Sequence, residues 1–182
     1  GVINDIDVMV VIDDLTMGDL NRYRRIILEI GDYHKSCGFI CSKRDLKNWN
    51  PLEICGLEHC TKDYYGRLED LVPGYTYEDV RSFAKMSLNN LYHEICHRYL
   101  HATQEKNISQ LPQSFKSVFF ILQTLHYLRT GEYLKTKKDL LGKISGMDLP
   151  VMELCLEYPK NISFDYAFEL LFIWCQQTLA SL

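Results

Sequence analysis

Val8 to Ile12 is an unbroken run of β-branched and apolar residues, the pattern of a strand buried on both faces. Residues 13–18 turn the chain, and Leu20, Tyr23, Ile26, Ile27 and Ile30 then recur at helical spacing to about Lys35. Cys37 to Ser42 and Pro51 to Leu57 predict two further short strands around a polar turn at Asp45 to Asn50, and Lys62 to Tyr65 a last one. From Thr76 the period changes. Thr76 and Asp79 have the spacing of a capping box, and Val80, Ala84, Leu88, Leu91 and Ile95 fall on one side of the long helix it opens. A second helix is expected from about Gln113 to Thr130, stopped by Gly131. Shorter helices follow at about 136–145 and 149–158, and a final one runs from a Ser163 cap to Ala180.

Strands and a helix followed by helices alone predict an α+β fold. A small mixed-sheet domain would cover residues 1–74 and a C-terminal helical bundle residues 75–182, with Leu71 to Tyr75 as the joint. A chain of 182 residues, 47% of them apolar, can bury a core without disulfides or a structural metal. The net charge of −4 leaves no broad cationic face for duplex nucleic acid. The most apolar run, Ser117 to Leu128, is broken by Gln123, Thr124 and His126 and is too short to cross a bilayer, so no membrane partner is expected. Seven scattered cysteines read as reduced thiols of a cytoplasmic protein, and Cys37, Cys41, Cys55 and Cys60 lack the spacing of a zinc knuckle. Asp5 and Asp7 fall where a secretory leader would be basic and then apolar.

Those two acids open the most informative segment, Asn4-Asp5-Ile6-Asp7-Val8-Met9-Val10-Val11-Ile12-Asp13. Strand alternation puts Asp5 and Asp7 on one face, close enough to share a cation, while Ile6 and Val8 point the other way. Adjacent carboxylates repel at neutral pH, and a divalent ion such as Mg2+ relieves that. Two solvated acids at a fraying strand end are the alternative.

The acidic pair on an apolar strand resembles the metal-binding strand of the nucleotidyltransferase superfamily to which DNA polymerase β belongs. Pro51-Leu52-Glu53-Ile54-Cys55-Gly56-Leu57 looks like the strand bearing that superfamily's third carboxylate, which would be Glu53. The segment Tyr65 to Pro73, with Glu78-Asp79-Val80, is similar to the joint of the aminoglycoside adenylyltransferase branch. Lys116 to Leu134, with Thr130-Gly131-Glu132, resembles the helix and Thr-Gly element of that branch, and Lys135 to Leu141 the Lys-bearing helix after it.

The resemblance implies that Asp5 and Asp7 hold two Mg2+ ions against the triphosphate of ATP. Glu53 would act as base for an acceptor hydroxyl, and Lys137 would contact phosphate, with Lys135 and Lys138 as alternatives. An AMP group would pass to a small-molecule acceptor, aminoglycoside-like in this branch. The superfamily also places a Gly-Ser phosphate loop about ten residues before the first Asp. Only four residues precede Asp5, so either that loop lies upstream of this chain or the protein is a non-catalytic relative that binds without transferring.

His93-Glu94-Ile95-Cys96-His97 spells H-E-x-x-H, which on a helix places two imidazoles one turn apart around a zinc ion with Glu94 as base. A zinc hydrolase is therefore the competing reading. At 100° per residue these histidines point away from the core stripe, and His101 lies roughly 12 Å from His93 along the axis. The aromatic residues Phe164, Tyr166, Phe168, Phe172 and Trp174 read as bundle core. Arg22, Arg24 and Arg25 read as a solvated face, and Tyr64 and Tyr65 as surface residues.

Overall fold

The computed structural model describes residues 5–31 and 33–182; Asn4 of the acidic segment lies outside them. The fold is mixed α+β and mostly helical, and it divides into two units. One takes in the chain up to Ile54 together with Thr61–Gly74, the other Cys55–Cys60 together with Tyr75–Leu182.

In the first unit, strands β1 (Ile6–Ile12) and β2 (Ser36–Ser42) pair in parallel, Ile6 opposite Ser36 through Ile12 opposite Ser42. Helix α1 (Met17–Glu29) lies between them in the chain, making a β-α-β crossover. Thr16 starts α1 with a reciprocal cap: its hydroxyl accepts from Asp19 N, and Asp19 Oδ2 accepts from Thr16 N at 3.0 Å. Ser42 and Asp45 repeat the device at α2 (Lys43–Lys47), where a polar turn was expected. Gly38 has φ 126°, and a Cβ there would run into the backbone of Val8, so only glycine lets the strands close at that rung.

Two expectations for this unit are corrected. The sheet has two parallel strands among the described residues and is not mixed. It is also not buried on both faces: Val8 is 42% exposed, Met9 to Ile12 are only half-buried, and α1 has no buried residue.

Two predicted strands are absent. Pro51–Cys60 forms a helix, α3, and the boundary between the units falls within it. Asn50 starts this helix, accepting from Leu52 N at its side chain (3.1 Å) and from Glu53 N at its carbonyl (3.0 Å). Pro51 then fills the first helical position, where its missing N–H is no loss. Lys62 to Tyr65 has no regular structure. Asp63 instead accepts from Leu68 N at 3.2 Å.

The second unit is helical: α4 (Tyr77–His101), α5 (Gln104–Thr130), α6 (Lys137–Leu141), α7 (Asp148–Leu156) and α8 (Phe164–Ser181). Thr76 and Asp79 form the expected capping box, and all five residues of the predicted α4 stripe are buried. Gly131, at φ 75°, ends α5 as expected, but α5 begins nine residues earlier than predicted, at a Thr103 cap, with Pro112 inside it. Leu88 and Ile95 of α4, Phe115 and Leu122 of α5, Met152 of α7 and Leu171 and Trp174 of α8 share one core. Trp174 Nε1 donates to Asp148 Oδ1 at 2.8 Å, and Arg129 pairs with the other oxygen of that carboxylate at 3.1 Å. Burial pushes the Cys175 thiol up to about 12. No helix among the described residues is long and apolar enough to cross a membrane.

Candidate functional site

Asp5 and Asp7 are both exposed at the start of β1. Asp7 stands opposite Cys37 in the strand register and accepts a hydrogen bond from its thiol. That bond and the Asp7 charge, with a smaller contribution from Asp5, push the Cys37 thiol up. As register partners in a parallel pair, Asp7 and Cys37 project to the same side of the sheet, and Asp5 precedes the first paired residue. Neither acid has an ion-pair partner among the described residues; Lys43 pairs with Asp13, at 2.6 Å, at the other end of β1. Its hydrogen bond and charge hold the Asp13 carboxyl below the usual range.

Glu53 is not brought to this face by a strand. It sits in the first turn of α3, where Oε2 accepts from Trp49 Nε1 at 2.8 Å, and Trp49 stacks on Phe39 at 5.8 Å between ring centroids. Among the described residues no three His, Cys, Asp or Glu side chains are grouped to hold a metal, and this covers Asp5, Asp7 and Glu53.

Lys137, the first residue of α6, is half-buried, and its ammonium donates to the Cys155 carbonyl at 3.2 Å. Lys135 and Lys138 are exposed. Lys135 lies close enough to His59 for its charge to disfavour the imidazolium, although burial is the larger cause holding His59 below the usual histidine range.

His59 belongs to a cluster that sequence reasoning missed. Its ring meets Tyr133 at 4.5 Å and Tyr127 at 5.1 Å, and Tyr77 stacks on Tyr127 at 5.9 Å. The Cys60 thiol donates to the Tyr133 hydroxyl at 3.7 Å, and that hydroxyl donates to Gln123 Oε1 at 3.1 Å. Gln123 completes the chain by donating to the Leu134 carbonyl at 2.6 Å. Burial pushes the Tyr75, Tyr133 and Cys55 groups up, so none of them is an activated nucleophile. His59 Nε2 is buried without a hydrogen-bond partner. The clue available in the sequence was the helical start at Asn50-Pro51, which would have carried His59 onto a helix.

The H-E-x-x-H letters do fall on a helix, α4, with His93 and His97 exposed and their ring centroids 5.9 Å apart. Glu94 is engaged through one carboxylate oxygen. Its Oε1 accepts from Arg98 Nη1 at 2.6 Å and from Ser114 Oγ at 3.2 Å, and Arg98 Nη2 donates to the same hydroxyl. His101, one turn further along, has its ring 4.7 Å from that of His97. The three histidines, with Glu94, Arg98, Ala102 and Lys106, line a surface hollow of ≈ 480 Å³. Tyr64 and Tyr65 are 88% and 102% exposed.

No protein-family model, curated protein or solved structure matches this chain.

Proposed function

We propose that the chain is a nucleotidyltransferase of the DNA polymerase β superfamily, similar to the aminoglycoside adenylyltransferases, moving AMP from ATP to a hydroxyl of a small molecule. One observation supports the reading: Asp7 in β1 and Asp5, one residue before that strand, are exposed at one end of a parallel β-α-β unit, with no ion-pair partner among the described residues. A hard divalent ion fits that donor set, because Mg2+ is commonly held by one or two carboxylates with substrate phosphates and water completing its shell. When bound, Mg2+ supplies neutralisation of charge on the triphosphate.

The chain's own residues would bind and orient. Asp5 and Asp7 would fix where the triphosphate rests, while the phosphate contact of Lys135, Lys137 or Lys138 is what the family resemblance alone implies. Lys137, already bonded to a carbonyl, is the weaker candidate of the three. The acceptor oxygen would bond to the α-phosphorus as the bond to the pyrophosphate oxygen breaks, and its proton would pass to solvent or a base.

Glu53 favours a second reading. Held by Trp49 in a helix, it supplies no third carboxylate to the acidic face, which suits a module that binds a nucleotide without transferring it.

Calorimetry with ATP and Mg2+ tests the shared part of both readings. One nucleotide should bind per chain, and Asp7→Asn should weaken it at least tenfold while Asp14→Asn leaves it unchanged. Pyrophosphate release in the presence of hydroxylated acceptors then separates transfer from binding alone. If the native chain does not bind Mg2+-ATP, both readings fail.

A further inference from the structure

We propose that the histidine row on α4 is a surface site for a borderline transition-metal ion such as Ni2+ or Zn2+, held by His97 together with His101 and unconnected to hydrolysis. Residues 93, 97 and 101 recur every fourth position, so their side chains stand one above another on a single helix face. Two imidazoles sharing one tetrahedral ion, with metal–nitrogen bonds of about 2.0–2.1 Å, place their ring centroids about 5 Å apart. The observed spacings, 4.7 Å for His97 and His101 and 5.9 Å for His93 and His97, lie on either side of that value. His97 belongs to both pairs and is the common ligand.

The surroundings leave the rings available. All three histidines are exposed, and none has a hydrogen-bond or ion-pair partner among the described residues. The Arg98 guanidinium does not compete for the position: its side chain is only 12% exposed and is engaged by Glu94 and Ser114. The proposed pair, His97 with His101, is one turn beyond the His93–His97 pair of the hydrolase pattern, and Glu94 Oε1 is held by Arg98 and Ser114, which separates the site from a zinc hydrolase built on His93, Glu94 and His97. Two protein ligands leave open positions on the ion for water. Lys106, on the first turn of α5, lines the same hollow and favours an anion in one of those positions.

Softness distinguishes this site from the acidic face, since imidazole suits Ni2+ and Zn2+ whereas carboxylates suit Mg2+. The inference therefore stands independently of the nucleotidyltransferase reading. The competing ligands are the exposed thiols of Cys37 and Cys60.

Calorimetric titration of the whole chain with NiCl2 should show one ion per chain. His97→Gln should weaken binding at least tenfold, since it breaks both pairs. His101→Gln, which leaves the wider His93–His97 pair, should weaken it less, and far-ultraviolet circular dichroism should be unchanged in both variants. Asp7→Asn and the double change Cys37→Ser with Cys60→Ser should leave the titration as it was. Equal binding by His97→Gln and the native chain would overturn the proposal, as would loss of the signal in the cysteine variant or no Ni2+ binding at all.

Discussion

His59 shows how a residue can be informative for the charge it does not carry. Burial first, with the Lys135 charge adding to it, lowers the imidazole against a smaller opposing effect of Glu58. An unfolded chain takes up this proton at about pH 6.5, whereas the folded chain takes it up only at lower pH. Between the two values the unfolded state binds more protons, so stability rises with pH. The contribution of His59 is therefore complete above about 6.5 and is lost as pH falls through the depressed folded value. Urea unfolding at neutral and at mildly acidic pH should show the native chain losing more stability on acidification than His59→Gln does. Equal losses would mean that the unpartnered Nε2 finds water and that burial does not govern the group. Residue identity alone gave no sign of this, because the rings that desolvate His59 come from Tyr127 and Tyr133, about seventy positions away.

At the scale of elements, local chemistry decided what could be read. The Thr76–Asp79 box, the Gly131 stop and the Ser163 cap are each set by two or three neighbouring residues, and the helix ends they announce are where they were expected. Pro51 to Leu57 misled because a short apolar run without alternation fits a strand and a buried helix equally well. The deciding signal was the Asn-Pro before it. Since Glu53 was chosen for its place on a strand, the error passed from the element to the candidate site.

Pro112 hid the first turns of α5 in the same way, since an interior proline normally marks a boundary. Within a helix it lacks the N–H that would reach the Ile108 carbonyl and is about 3 kcal/mol less favourable than alanine. Part of this is offset by its stiffening of the unfolded chain. Pro112→Ala should accordingly stabilise the protein by about 1–2 kcal/mol in chemical unfolding. Loss of stability instead would show that the helix needs the bend that proline imposes.

For the whole molecule, the distribution of buried residues predicts how it opens. In α4, α5, α7 and α8 the apolar stripes are buried, with Leu88, Phe115, Met152 and Leu171 at 0% exposure. β1 has no buried residue, and its only partner among the described residues is β2. A two-stranded sheet is marginal by itself, so amides of β1 and β2 should exchange through openings much smaller than those that expose the α4 stripe. Hydrogen exchange followed by mass spectrometry should rank β1 and β2 well below α4 and α8, and equal protection would contradict the ranking. The acidic pair would then sit on one of the less protected elements, as binding segments commonly do.

Gly38 limits how far that strand pair can drift over generations of sequence change. Residues on either side of it may exchange one apolar group for another, but at this rung any branch on the α-carbon collides with the chain across from it. A lineage can thus recolour the faces of the sheet freely while this single position stays closed to substitution.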